Sequence, residues 1–258
     1  MSSLGSLLGL LLSSRARLAH GRESGYWLVG AAVAIGGTGI WTMHFIAMMG
    51  FAVSGTVIRY DVPLTAASAL LAIVVVGAGL FLVHYGRLRT PYLIGGGVLA
   101  GLGVAGMHYL GMIAMRMSAH VSYDPITVTL SVLIAVAAAT AALWFAGRVS
   151  GALKTGGAAL LMGVAVTGMH YTGMLGMSVE LHHTPGHVGG TPGIDFLLPL
   201  VVGITVITVG LLLAVMLSPS ERELRHEQEF LARAQGRPPV RDNSGGAPDV
   251  DLFGTPRG

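Results

Sequence analysis

The sequence predicts an all-α fold, a polytopic bundle of about seven transmembrane helices built from three repeats of a helix pair. Hydrophobic residues make up 53% of the 258-residue chain, and its mean hydropathy is +0.71. Only 10% of the residues are charged, whereas a soluble globular domain carries about 25%. Apolar segments of span length recur along the chain, and a histidine-containing motif recurs with them at intervals of 64 and 62 residues. A period of this kind indicates internal repeats.

Six segments match the length of about 20 apolar residues that a helix needs to cross the hydrocarbon core. They are residues 27–50, 63–85, 91–115, 126–147, 157–178 and 195–217. The opening apolar run, Leu4–Leu12, is shorter, and we expect it to belong to an incomplete first span. A signal peptide is a poorer interpretation, because the run has no basic residues before it and no clear cleavage site after it.

The basic residues predict the orientation of the chain. Every second connection between spans is basic, and six more basic residues follow residue 217. The basic connections hold Arg15, Arg17, Arg22, Arg87, Arg89, Arg148 and Lys154. The connections that alternate with them hold only Arg59 and Arg116. By the positive-inside rule the N-terminus is outside and the C-terminus inside, which requires seven spans. Because the charges lie in short loops and a tail, the pI near 9.5 does not indicate a nucleic-acid partner.

Two of the outer connections contain a Tyr-Asp pair just before a proline, in RYDVP and SYDP. Asp61 and Asp124 are expected to cap the helices that follow, with Pro125 at the first helical position. An alternative role for either carboxylate is to hold a histidine in position beside a metal ion.

The residues after the last span differ in character from the rest of the chain. We expect a transmembrane domain at 1–217 and a cytoplasmic tail at 218–258, which begins with a short helix and is otherwise disordered. The tail has about 40 residues, whereas a usual catalytic domain has about 100 or more. The spans contain no paired carboxylates and no nucleophile–base arrangement, so we do not expect an enzyme.

Near the end of three spans, a histidine is followed four residues later by a methionine. Residues four apart share one face of a helix, so each span presents an imidazole and a thioether together, near the outer membrane face. The pairs are His44 and Met48, His108 and Met112, and His170 and Met174. Met115 and Met177 extend two of these faces, whereas the first motif has Phe51 there. A methionine also comes directly before each histidine, at Met43, Met107 and Met169. Adjacent residues are about 100° apart around a helix axis, so these methionines lie on a different face from the histidines.

This combination of side chains predicts a copper site. The chain has no cysteine, which excludes thiolate ligands, and no carboxylate lies near the motifs to bind a hard ion. Thioethers select Cu(I), and imidazole binds both oxidation states of copper. Haem also accepts His and Met as axial ligands, although the sequence has no haem-attachment motif. Core packing is the simplest alternative for methionines, but an ionisable residue in the bilayer is costly and by default functional.

A second group of histidines lies in the last outer connection. It contains His182, His183 and His187. These residues are candidates for an auxiliary loop that captures metal, and a solvated loop without a role is an equally good interpretation.

The three motifs resemble those of one family. MHYT at 169–172, MHYL at 107–110 and MHFI at 43–46 are similar to the repeated motif of the MHYT domain, a bacterial integral membrane sensor module, and the resemblance covers residues 1–217. It implies a multi-pass protein of the plasma membrane that binds copper through His and Met near the outer face. It also implies sensing of a diatomic gas such as oxygen, carbon monoxide or nitric oxide. By position, the three histidines and the methionines four residues later are the metal ligands, and the methionines before the histidines match the motif too.

Many members of that family continue into a diguanylate cyclase, phosphodiesterase or kinase domain, whereas this sequence ends after a short tail. We therefore expect the signal to pass to a separate cytoplasmic partner, or the output to be absent.

Two other functions stay open from the sequence. A copper-handling transporter is the first, although polar residues clustered at one depth do not favour a pathway through the bilayer. A structural membrane protein is the second, in which the motifs serve helix packing along the glycine-rich stretches 36–39 and 95–106.

Overall fold

Seven helices follow one another in the part of the chain that this computed structural model describes, residues 1–181, 188–218 and 230. They are α1 (Ser2–Leu18), α2 (Arg22–Met49), α3 (Val62–Tyr85), α4 (Thr90–Ala114), α5 (Pro125–Arg148), α6 (Ala152–Leu175) and α7 (Gly193–Leu217). Five of these helices, α2 to α6, are long and apolar enough to cross a membrane. Each predicted span falls on one helix, whereas the count of seven spans and their orientation stay predictions.

Helices α1 to α6 form a closed ring. Each helix packs against the next one in sequence, and α6 packs against α1, while α7 contacts α1 and α2 from outside the ring. This order places α2, α4 and α6, the helices that carry the repeated motif, at alternate positions. The residues near the ends of these three helices can therefore meet on the axis of the ring.

Helix α1 is longer than the apolar run Leu4–Leu12 from which we predicted it, and it is packed into the core. Leu8, Leu12 and Ala16 are at most 1% exposed. A side chain at Gly5 would collide with the backbone of Gly39, since its Cβ would lie 2.4 Å from the Gly39 nitrogen. Small residues thus bring α1 close to α2, as expected for helices that associate in lipid.

Helix α2 is not a regular α-helix along its whole length. Its middle, Val33–Trp41, is π-helical, a rare form that often lies near functional sites. Thr38 and Thr42 donate hydroxyl hydrogen bonds of 3.2 and 3.0 Å to carbonyls five residues earlier, those of Val33 and Gly37. The sequence analysis predicted an ordinary span here, and the π-helical segment ends three residues before His44.

Short strands connect the repeats at the end of the ring where the motifs lie, so the all-α expectation needs a correction there. Strands β1 (Arg59–Tyr60), β2 (Met115–Arg116) and β5 (Thr191–Pro192) form an antiparallel sheet in the order β2-β1-β5. Strand β3 (Ala119–Tyr123) pairs with β4 (Met177–Leu181). The two sheets follow the same pattern. In each, the strand that precedes a capping aspartate pairs with the strand that follows the motif helix of the next repeat. Tyr60 therefore lies opposite Met115, and Tyr123 lies opposite Met177.

The two predicted helix caps are confirmed. The carboxylate of Asp61 accepts a 3.1 Å hydrogen bond from the Leu64 nitrogen, and that of Asp124 accepts a 2.9 Å bond from the Thr127 nitrogen. The alternative role of Asp61 beside a histidine finds no support among the described contacts, because its carboxylate pairs with Arg116 at 2.5 Å.

Candidate metal centre

The three motif histidines meet on the axis of the ring. His44 comes from α2, His108 from α4 and His170 from α6, and each is at most 2% exposed. Their Nδ1 atoms are 3.1 Å apart for His44 and His108, 3.1 Å for His44 and His170, and 3.3 Å for His108 and His170. The rings stand nearly perpendicular to one another, with interplanar angles of 76° to 89°.

Hydrogen bonding alone does not explain this triangle of nitrogens. A protonated imidazole nitrogen donates and cannot accept, and an unprotonated one accepts and cannot donate. Three nitrogens in mutual contact cannot alternate between donor and acceptor, so at least one of the three contacts joins two donors or two acceptors. A buried arrangement with such a contact is costly.

A cation at the centre removes this conflict, because three unprotonated nitrogens can all direct their lone pairs to it. Ligand nitrogens bound tetrahedrally at about 2.0–2.1 Å lie about 3.3 Å from one another, and the nitrogens here are 3.1 to 3.3 Å apart. The three side chains therefore fit a metal ion in number, atom type and spacing. They also form the one group of His, Cys, Asp and Glu side chains with metal-ligand spacing among the described residues.

Two glycines that the sequence analysis did not single out make room for these rings. A Cβ at Gly111 would lie 2.2 Å from Nε2 of His44, and a Cβ at Gly173 would lie 2.5 Å from Nε2 of His108. Each glycine is three residues after a motif histidine, and the equivalent residue of the first motif is Ala47. The recurrence of a small residue at this position is the signal by which the sequence could have revealed them.

The methionines four residues after the histidines share one apolar cluster, which extends one helical turn beyond the three rings. Met48 and Met112 are buried in it, at 1% and 3% exposure, and Met174 packs against it. The cluster also contains Phe45, Tyr60 and Met115, with Met177 at its edge. The structure thus brings these thioethers to one side of the histidines, while their role as ligands stays a prediction.

The methionines that precede the histidines lie elsewhere. Met107 and Met169 are buried in the main core of the ring, and Met43 lines a groove together with Tyr171. This separation agrees with the helix geometry that placed them on a different face. The loop histidines His182, His183 and His187 are outside the described residues.

Aromatic side chains next to the histidines tie the motif helices to the helices that follow. Tyr109 hydrogen-bonds Ser131 of α5 at 2.7 Å, and Trp41 donates to Ser68 of α3 at 3.0 Å. Ser68 and Ser131 are fully buried and each comes seven residues after a capping aspartate. The sequence analysis missed both serines, because a lone serine in a span carries no distinctive pattern.

The repeats match a known family model. The model of the MHYT bacterial signalling protein N-terminal repeat matches residues 37–96, 101–158 and 163–225. The chain is 42% identical over 90% of its length to the bifunctional diguanylate cyclase/cyclic di-GMP phosphodiesterase MucR of Pseudomonas aeruginosa. It is 39% identical over 56% of its length to the cyclic di-GMP phosphodiesterase NbdA of the same organism, and 33% identical over 70% to the signaling protein YkoW of Bacillus subtilis.

These similarities concern a part of each relative. The chain covers 34% of the length of MucR, 19% of NbdA and 23% of YkoW. No solved structure matches the chain.

Proposed function

Because this chain belongs to the MHYT family of bacterial signalling proteins and is a multi-pass protein of the plasma membrane, we propose that it is a sensor that binds one copper ion between His44, His108 and His170. The observation that supports this proposal most directly is the buried triangle of Nδ1 atoms, with edges of 3.1 to 3.3 Å. Met48, Met112 and Met174 are candidates for a further ligand or for the apolar wall of the site.

Copper suits the surroundings better than other metals do. Zinc also binds three imidazoles, so the choice of copper depends on the side chains beyond the rings. The side chains beyond the rings are thioethers and aromatic groups, which favour a soft monovalent ion. Calcium and magnesium require oxygen ligands, and the cluster has none.

Three protein ligands leave a position for a small molecule. When bound, copper would supply a place for a diatomic ligand such as oxygen, carbon monoxide or nitric oxide. The three histidines lie on three different helices, so a change in their spacing would shift α2, α4 and α6 relative to one another. We propose that this shift passes to a cytoplasmic signalling domain or partner, and the names of MucR and NbdA suggest cyclic di-GMP signalling as the output.

Metal analysis of the purified protein tests the site. We expect copper at about one equivalent in the wild type and its loss in His44→Ala, His108→Ala and His170→Ala, with monodisperse elution as the check on folding. The matched control is His120→Ala, which changes an exposed histidine of β3. Equal copper content in all five proteins would refute the proposal, and zinc or iron in place of copper would refute the choice of metal.

The transporter is the alternative that the same preparation can test. The buried histidines form a single cluster at one end of the ring instead of a series along it, so we expect no copper uptake into proteoliposomes. Uptake that depends on the three histidines would favour transport over sensing.

A further inference from the structure

A second polar site lies at the opposite end of the ring from the histidine cluster. It is a cavity of about 190 Å³ between the last turns of α1, α3 and α5. The polar residues that line it are Ser13, Arg17, His84 and Arg87. Apolar side chains such as Leu80 and Leu143 form the remainder of the wall, so the cavity has a basic mouth and an apolar floor.

The charged residues that line this cavity are basic. Two arginines and one histidine line it, and none of its lining residues is acidic. The guanidinium of Arg17 donates to the carbonyls of Ala146 and Val149, the latter at 2.7 Å. These carbonyls lie at the C-terminus of α5, where the helix dipole favours a cation. They hold the guanidinium in position at the cavity.

A hydrogen bond to Ser24 fixes the ring of His84 in the wall of the cavity. Ser24 lies 2.9 Å from the carbonyl of Ala16 and 2.9 Å from Nε2 of His84. The single hydroxyl proton of Ser24 goes to the carbonyl, so Nε2 of His84 is the donor in the second contact.

Ser13 supplies an independent indication of a ligand. This residue is 3% exposed and lines the cavity, and its buried hydroxyl has no hydrogen-bond partner among the described residues. Buried hydroxyls are ordinarily hydrogen-bonded, so a polar molecule in the cavity accounts for it.

The turn after α3 places Arg87 at the mouth of the cavity. Arg87 and Leu88 have φ angles of 52° and 54°, a left-handed conformation that non-glycine residues adopt rarely. Unusual backbone of this kind often occurs where a side chain must be positioned for binding.

We propose that this cavity binds a phosphate group, supplied by an anionic phospholipid or by a soluble phosphate compound. The guanidinium group of arginine donates paired hydrogen bonds to phosphate oxygens. Basic pockets between transmembrane helices on the cytoplasmic side are known to bind lipid headgroups. The apolar floor between the helices fits the start of an acyl chain. This site is separate from the proposed copper centre and does not depend on it.

The test compares the thermal stability of the purified protein in neutral detergent with and without added phosphate compounds. Dioleoyl phosphatidylglycerol should raise the melting temperature of the wild type, and dioleoyl phosphatidylcholine should raise it less. Arg87→Gln should lose at least about half of the shift. The matched control, Arg89→Gln, changes an exposed arginine two residues away that is not among the lining residues, and it should keep the full shift.

Two further measurements complete the test. Ser13→Ala removes only the unpartnered hydroxyl, so it should fold as the wild type does and also show a smaller shift with phosphatidylglycerol. Inorganic phosphate that stabilises the protein and competes with the lipid would identify a soluble source, whereas a shift with the lipid alone would identify the membrane. An equal lipid shift in Arg87→Gln and Arg89→Gln, or no shift of the wild type with either compound, would overturn the proposal.

Discussion

The missing side chains at Gly111 and Gly173 allow the imidazoles of neighbouring repeats to reach the axis of the ring. At these two positions a Cβ would lie 2.2 and 2.5 Å from Nε2 atoms of His44 and His108, well inside any allowed contact. A helical glycine is otherwise unfavourable by about 1 kcal/mol relative to alanine. These glycines therefore exchange local helix stability for the packing of the site.

Replacing either glycine by alanine should damage the centre. We expect Gly111→Ala and Gly173→Ala to lower the free energy of unfolding by about 1–3 kcal/mol through overpacking, and to reduce metal retention because the facing imidazole must move. Thermal unfolding and metal analysis of the purified variants measure the two effects.

Gly168→Ala is the control for this pair of variants, since a Cβ at Gly168 meets nothing within 4 Å. It lies in α6, in the same helix as Gly173, and it should keep the stability of the wild type or exceed it. If Gly111→Ala and Gly173→Ala behave like Gly168→Ala, these glycines do not make room for the rings.

At the scale of single residues, the sequence predicted candidate site residues and the helix faces on which they lie, and the structure shows which of these side chains lie together. Helix periodicity placed His44, His108 and His170 on defined faces, and it separated Met107 and Met169 from them. It could not predict that the three rings meet at one point, because that depends on the order of helices around the ring. Single buried partners such as Ser131 have no periodic signal, so local pattern cannot identify them.

At the scale of elements, the sequence predicted features with local chemistry and missed features that depend on partners. The caps Asp61 and Asp124 were predictable, because a side chain and a nitrogen three residues away suffice to form them. Strands of two to five residues were not, since they are too short for a strand pattern and exist only through pairing between repeats. The π-helical segment Val33–Trp41 likewise has no distinctive hydrophobic period.

Asp61 joins the cap of α3 to the strand of the next repeat, and this link should depend on pH. The hydrogen bond from Arg116, followed by that from the Leu64 nitrogen, lowers the pKa of Asp61 below its ordinary value of 3.8. A lowered pKa in the folded state stabilises the protein above the unfolded-state pKa, and this stabilisation is lost as pH falls through the folded-state pKa. The wild type should therefore lose stability as the pH falls below about 4.

The variant Asp61→Asn should show a smaller loss over this acid range, because asparagine retains capping ability and cannot titrate. Arg116→Gln keeps the carboxylate and removes the largest cause of the shift, so it should also flatten the curve. Melting temperatures between about pH 3 and pH 6 provide the measurement. Asp124 keeps its own lowered pKa in both variants, so some acid sensitivity remains. Curves parallel to that of the wild type would show that this carboxylate does not link folding to pH.

At the scale of the whole molecule, the ring explains why one motif occurs three times. Six helices in sequence order bring every second helix to an equivalent position, so one histidine from each repeat suffices to complete a site that no repeat could form alone. The outward faces of the ring carry exposed apolar residues such as Leu133, Leu160 and Val164, at 61%, 62% and 70% exposure. An apolar outer surface of this kind is typical of a helix bundle that is surrounded by lipid.

The direction in which the ring crosses the membrane is the remaining prediction, and the absence of cysteine from the chain makes it directly testable. The basic loops predict that the histidine end faces outward. Ser122→Cys places a thiol on β3 at that end, and Ser150→Cys places one in the connection between α5 and α6; both positions are exposed. In intact cells a membrane-impermeant maleimide should label Ser122→Cys, and it should label Ser150→Cys only after permeabilisation. The opposite result would put the three histidines on the cytoplasmic side, so that the proposed metal centre would be exposed to intracellular copper and gas instead of those outside the cell.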